Sequence, residues 1–324
     1  MRSKEALLFL VKATVSVLAF GYIFSRTDLE IVLKVLSQID IALVVIGFGI
    51  LNLSTIIMAH RWQILLRELS IPTTIWESIR LNYIALFFNI FLPSRIGGDI
   101  TKGYYMYKKQ KNLTGITLSL LADRTIGMFS FISVNLIALF LGWAYIPEEI
   151  ILIVLIVDGL LIGSLYAGLI VQRYGIPNIL KSLGQQYNLY DRVKKVAQQL
   201  HSLSSAKRTL RKIILWSLVS NVLLIFTNYT YARALHLDVP FIYFVVFVPI
   251  ITTITMLPVS LNGLGIREYL VTVLFGAVGI PTEHALGLAL VARVLGIMHG
   301  GIGVILYLKG SERINRNAFS KAYK

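Results

Sequence analysis

The chain has 324 residues, 56% of them hydrophobic and only 15% charged, where soluble domains carry about a quarter charged residues, and its mean hydropathy is +0.74. Water is not its main solvent. It holds 31 Lys and Arg against 16 Asp and Glu and no cysteine. That excludes disulfides, thiolate metal sites and cysteine nucleophiles, and in a membrane chain the basic excess speaks first to orientation rather than to nucleic acid.

Met1-Arg2-Ser3-Lys4 precedes an apolar run that Lys12 interrupts and no small-x-small cleavage site follows, so an uncleaved first span is expected over 6–24 rather than a signal peptide. Further runs over 41–59, 116–142, 149–171, 212–234 and 285–308 are each long enough to cross a hydrocarbon core of roughly 30 Å as a helix. Six crossings result. The alternating pattern of an outer-membrane barrel is absent.

Two more apolar segments, 75–92 and 241–257, run directly into Leu92-Pro93-Ser94-Arg95-Ile96-Gly97-Gly98-Asp99 and Leu257-Pro258-Val259-Ser260-Leu261-Asn262-Gly263-Leu264-Gly265. Backbone that leaves a helix at membrane depth is tolerated only where protein buries it or a wet cavity receives it. These segments are therefore expected to dip into the bilayer and return, as re-entrant hairpins over 75–110 and 241–280. Charge agrees: most basic residues then fall on one side, in 1–5, 60–80, 93–115, 172–212 and 309–324, and the opposite loops hold only Arg26 and Lys34. The positive-inside tendency puts both termini in the cytoplasm.

An internal repeat runs along the same frame. Leu69-Ser70-Ile71-Pro72 reads against Leu237-Asp238-Val239-Pro240, Leu92-Pro93 against Leu257-Pro258, and Leu121-Ala122-Asp123-Arg124-Thr125-Ile126-Gly127 against Val291-Ala292-Arg293-Val294-Leu295-Gly296. Repeats over 1–148 and 149–324 each contain three spans and one hairpin. Three is odd, so the second enters from the opposite face, giving an all-α polytopic protein with an inverted-topology repeat. The connector 172–212 carries Leu189, Val193, Val196, Leu200 and Leu203 at helical spacing among many basic residues. It is either a helix lying on the anionic leaflet or a plain solvated linker.

Matched Pro/Gly breaks point at a site. Pro93, Ser94, Arg95, Gly97, Gly98, Asp99 and Lys102 at one break, and Pro258, Asn262, Gly263, Gly265, Arg267 and Glu268 at the other, combine turning backbone with cationic side chains. Half-helices beginning near Asp99 and Arg267 would offer N-terminal dipoles and free N–H groups to an anion. Inside the spans lie Asp123, Arg124, Asp158 and Arg293; a mid-membrane charge costs about 2.5–3.5 kcal/mol or more, so each needs a partner or a cavity. Arg124 and Arg293 occupy equivalent repeat positions and either grip a phosphate together at the pseudo-symmetric centre or form structural ion pairs, Arg293 with Asp158 for example. Gly159, Gly163 and Ala167, and Gly296, Gly300 and Gly303, are expected to pack helices closely. The five histidines show no ligand spacing and no nucleotide-binding or Gly-x-Ser-x-Gly motif occurs, so neither a metal, a cofactor nor ATP coupling is expected.

The two Pro/Gly motifs, extended through Ile266-Arg267-Glu268, together with Ala122-Asp123-Arg124, resemble the lysylphosphatidylglycerol synthase transmembrane, or flippase-like, family over nearly the whole chain. The resemblance implies a translocator moving a lipid, aminoacylated or polyprenyl-linked, between leaflets of the cytoplasmic membrane. Bifunctional synthases of that family carry a cytosolic aminoacyl-transferase domain after the membrane part, whereas this sequence ends at Lys324; lysyl transfer is not expected and the lipid stays unnamed. Expected partners are lipids with anionic or phosphate-bearing headgroups, besides a second copy of the chain or a separate lipid-modifying enzyme. The rival functions are an intramembrane transferase using Asp99, Asp123 or Glu268 as general base, and a scaffold of a lipid-synthesis complex that transports nothing.

Overall fold

The computed structural model describes residues 27–91, 97–174, 207–255, 260 and 263–322, with isolated positions before Thr27; side chains within these limits are described except at Phe91, from Ser164 to Lys207 and beyond Lys309. The expected span over 6–24 and the connector helix around 189–203 lie outside the described residues. All regular structure among the described residues is helical: α1 (Leu29–Ser37), α2 (Ile41–Glu68), α3 (Ile75–Phe91), α4 (Gly97–Gln110), α5 (Leu113–Gly142), α6 (Glu148–Tyr174), α7 (Lys207–Ala234), α8 (Phe241–Ile254), α9 (Ile266–Gly276) and α10 (Thr282–Ala322). A short 3₁₀ turn, Trp143–Tyr145, links α5 to α6.

Local chemistry sets the helix ends. Asp28 and Asp40 cap α1 and α2 by accepting the orphan N–H groups of the first turn, and Asn112 does the same for α5. α2 ends where Ser70 turns left-handed at φ 56°, with Ser70 N donating to the Arg67 carbonyl and Ile71 N to that of Leu66. α7 ends by the same pair of bonds around His236 at φ 57°, the Schellman arrangement built without glycine. The left-handed residue is therefore 70 in one half and 236 in the other. The loop to Pro240 is two residues longer than the loop to Pro72, which places the Leu69 and Leu237 match two positions out of register at this corner.

Four helices among the described residues are long and apolar enough to cross a membrane: α2, α5 with its 3₁₀ extension, α7 and the Thr282–Lys309 part of α10. Phe140, Ile41 and Leu160 stand 85%, 72% and 66% exposed, an apolar surface that water would not tolerate in a monomer and that acyl chains suit. The chain is a multi-pass helical membrane protein. The expected span at 41–59 is too short: α2 continues to Glu68, because falling hydropathy marks a change of surroundings and not the end of a backbone hydrogen-bond ladder.

The order long helix, short helix, break, short helix, long helix occurs twice, as α2 to α5 and as α7 to α10. Both breaks lead into antiparallel hairpins. Along α3 and α4, Gly98 meets Asn89, Lys102 meets Asn82 and Lys109 meets Glu77; along α8 and α9, Phe275 packs tilted against Phe244 and edge-to-face against Phe247. α2 and α7 form the most extensive helix pair, α10 lies against α3, and α5 against α8, so the first half-helix of each hairpin packs chiefly on a long helix of the other half, while α9 packs on α10 of its own half. Gly300 and Gly303 make the α10 contact with α3 close: an added Cβ would run into Ile90 and the Tyr83 carbonyl. Gly159, Gly163 and Gly296, expected to pack likewise, face open space; Ala167 lies beyond the described side chains.

Candidate site at the two helix breaks

Asp99 is the third residue of α4 and Glu268 the third of α9, the position from which a carboxylate meets the positive end of its helix. Each pairs with an arginine twenty-five residues onward, Asp99 with Arg124 at 2.9 Å and Glu268 with Arg293 at 2.8 Å. The surroundings of the two pairs differ.

Around Asp99 the pair belongs to a buried polar network. Lys102, 3% exposed, lies 3.9 Å from Asp99 Oδ1 and 3.7 Å from Asp123 Oδ2, donates to Asn82 Oδ1 at 3.3 Å, and sits 4.5 Å above the Trp62 ring. Arg61 reaches Asp123 at 2.8 Å and donates to Ser217 on α7 at 2.8 Å. Three cations therefore share two carboxylates. Gly98 lets α4 approach α3: its N–H donates to Asn89 Oδ1 at 2.8 Å and a Cβ would strike the Ala85 carbonyl.

Around Glu268 the arrangement is tighter. Glu268, 0% exposed, accepts from Arg293 Nε and Nη2 with Oε1 and from the Gly265 N–H with Oε2 at 2.8 Å. Arg293 Nη2 also donates to the Gly263 carbonyl at 3.1 Å. Gly263 and Gly265 hold φ values of 73° and 79°, a conformation that side chains with Cβ rarely accept. The second break is thereby tied to α10 through one arginine.

A cavity of about 340 Å³ opens beside that arginine, within the range of small-ligand sites. Its polar lining includes Arg267, Arg293, Asn89, Asn228, Thr227 and Thr255, and Leu51, Leu86 and Leu224 supply apolar wall. Residues of α2 and α3 meet residues of α7, α9 and α10 here, with Thr255 from just past α8, so it lies between the two halves. Among the described residues no carboxylate lines it. Arg267 Nη2 reaches Asn228 Oδ1 at 3.5 Å. Two arginines, amides and hydroxyls facing one hollow form a surface suited to an anion with several acceptor oxygens.

The lysylphosphatidylglycerol synthase transmembrane-region model matches residues 9–303. The chain belongs to that family. It is similar to a UPF0104 membrane protein of Pyrococcus horikoshii, 21% identical with 95% of this chain and 98% of that one covered. A UPF0104 membrane protein of Methanocaldococcus jannaschii is 23% identical, with 84% and 86% covered. No solved structure matches.

Within this family member the expected site residues separate into two groups. Gly97, Gly98, Asp99, Lys102, Asp123 and Arg124 gather at the first break, and Gly263, Gly265, Arg267, Glu268 and Arg293 at the second. Pro93, Ser94, Arg95, Pro258 and Asn262 lie outside the described residues. Arg124 is not among the residues around the cavity that Arg293 lines, so the two arginines do not share it. The expected Arg293 pairing with Asp158 is replaced by the Glu268 pair, and Asp158 instead accepts from Asn135. Arg61, Trp62, Asn82, Asn89 and Asn228 join the site without having been singled out by sequence pattern. For Arg61 one signal exists: no helix-ending residue separates it from the apolar run before it, so it belongs to the span and, as an intramembrane cation, requires a partner.

Proposed function

We propose that this protein moves a lipid with a phosphate-bearing headgroup, whether anionic, aminoacylated or polyprenyl-linked, between the leaflets of the cytoplasmic membrane. The observation that carries the reading is the cavity between the halves, where Arg267 and Arg293 stand beside amide and hydroxyl groups with no carboxylate among the described lining residues. Six spans with cytoplasmic termini and two re-entrant hairpins entering from opposite faces, related as an inverted repeat, would set this cavity near the bilayer midplane and let the halves rock about it. The recurring register supports that topology: equal spacing of acid and arginine, matching left-handed ends of α2 and α7, and the packing of α3 on α10 and of α8 on α5. A membrane potential negative inside favours outward passage of an anionic headgroup by about 2.3 kcal/mol per charge per 100 mV. An intramembrane transferase finds less support, since Asp99, Asp123 and Glu268 are all engaged by cations and none lines the cavity.

Reconstitution into vesicles with labelled phosphatidylglycerol, its lysyl ester and phosphatidylcholine tests the proposal. Wild type accelerates leaflet exchange of at least one phosphate-bearing lipid over empty vesicles. Arg267→Gln, removing one charge-assisted contact, slows that exchange by roughly ten-fold or more. Equal rates for wild type, variant and empty vesicles across all the lipids would end the proposal.

A further inference from the structure

At the end of α8, the side chains of Asn135 on α5, Asp158 on α6 and Thr253 on α8 meet. Asp158 is 2% exposed, Asn135 0% and Thr253 1%. The Asn135 amide nitrogen donates to Asp158 Oδ1 at 3.1 Å and to Thr253 Oγ1 at 2.7 Å, which uses both of its hydrogens. Two acceptors are then left without a donor among the described residues: Asp158 Oδ2 and Asn135 Oδ1.

Among the described residues no counter-ion faces the carboxyl. On α5 the nearest charged residues are Asp123 and Arg124, roughly 16 Å away along the helix and held by Arg61 and Asp99. α8 carries no charged residue, and its one titratable side chain, Tyr243, lies about 15 Å toward the helix start. α6 itself offers Glu148 and Glu149 at its beginning and Arg173 near its end, each at least about 13 Å along the axis. An ionised Asp158 would be a buried charge with one neutral hydrogen bond and an empty second oxygen, beside an amide oxygen that is also empty. Burial of this kind is what neutralises carboxylates.

A single proton removes the mismatch, because the neutral acid supplies an O–H donor and the unfilled amide oxygen is an acceptor. Turning the amide over changes nothing: its oxygen would then face Asp158 Oδ1, and two oxygens again need a proton between them. We infer that Asp158 is held as the neutral acid against the Asn135 amide, and that the junction of α5, α6 and α8 is an intramembrane proton-binding site. Its ligand is the proton itself. Release transfers that proton to water as the carboxylate forms, so it requires α6 to move off α5 and α8 far enough to admit water. The inference stands on this junction alone and not on the headgroup cavity.

Infrared spectra of the full chain in phosphatidylcholine vesicles at neutral pH test it. The expected result is a protonated-carboxyl C=O band that shifts in D₂O, disappears in Asp158→Asn and is displaced in Asn135→Leu, where the acceptor is gone. Absence of any protonated-carboxyl band from wild type, or a band untouched by Asp158→Asn, would overturn the assignment. Should Asp158→Asn fail to fold, dicyclohexylcarbodiimide, which attacks protonated carboxyls from the lipid phase, gives the assignment in wild type. An adduct mapped by mass spectrometry to Asp158 supports the site, and a protein modified only elsewhere refutes it.

Discussion

The two breaks use one plan to different ends. In both, the third residue of the returning half-helix is an acid paired with an arginine twenty-five residues later. At the first, the Asp99 and Arg124 side chains are 31% and 38% exposed, and their charge is spread over a network that includes Lys102, Asp123 and Arg61. At the second, the Glu268 and Arg293 side chains are 0% and 15% exposed, and a single acid holds both the arginine and the Gly265 backbone. Residues in matching order thus act as a shared cluster, buried at Lys102 and partly exposed at Asp99 and Arg124, at one break and as a sealed clamp beside a cavity at the other. The spacing of acid and arginine is the same at both breaks; burial decides what the pairing is worth.

The largest expected effect tests that contrast directly. Glu268→Gln leaves Arg293 without its buried counter-charge and should destabilise the protein by about 3–5 kcal/mol. The corresponding Asp99→Asn acts on a part-buried pair with other partners at hand and should cost less, about 1 kcal/mol. Thermal unfolding of purified variants in detergent reads both. Losses of equal size would mean that the two breaks are energetically alike and that burial does not separate them.

Much of this frame is legible in the order of the residues. Proline and glycine interrupting an apolar run announce a broken helix, since hydrocarbon offers backbone groups no partner, and Asp99, Glu268, Arg124 and Arg293 stand out as charges where charge is expensive. Their pairing is not legible. Periodicity places a residue on a helix face, but which helix lies opposite depends on packing between halves, so by pattern Asp158 is as good a partner for Arg293 as Glu268. Arg61 is hidden for another reason. It follows the apolar run of α2, and polarity alone reads it as loop, although the helix stops only at the left-handed Ser70. Gly159 and Gly163 show the converse, a packing motif with nothing described against it.

A second prediction sharpens the comparison at the first break. Gly98 has ordinary helical geometry, and its small size is required by the Ala85 carbonyl and the Asn89 amide lying where a Cβ would go. Gly98→Ala must push α4 away from α3, at a cost of about 1–3 kcal/mol. The same shift lengthens the approach of Lys102 to Asn82. Unfolding measurements should show the loss, and Gly98→Ser should be no milder, because the obstacle is volume. An alanine variant as stable as wild type would show that the α3–α4 contact is looser than these distances describe.

The smallest effect belongs to the other break, where the reason for glycine is different. Gly263 turns at φ 73°, and the nearest atom to an added Cβ is Thr255 Cβ at 3.2 Å, close enough to need a slight adjustment but no backbone collision. Left-handed geometry rather than crowding sets the cost, about 1 kcal/mol for Gly263→Ala. Asparagine tolerates that region better than most residues with a Cβ, and a β-branched side chain tolerates it least. The stability order at 263 should therefore be Gly, Asn, Ala, Val, with Asn ahead of Ala despite its larger size. Position 98 should rank substitutions by size instead, with Ala ahead of Asn. If both positions followed volume, the second break would be crowded like the first. If both followed dihedral preference, the close approach of α4 to α3 would have no energetic weight, and one plan would serve one purpose at both ends.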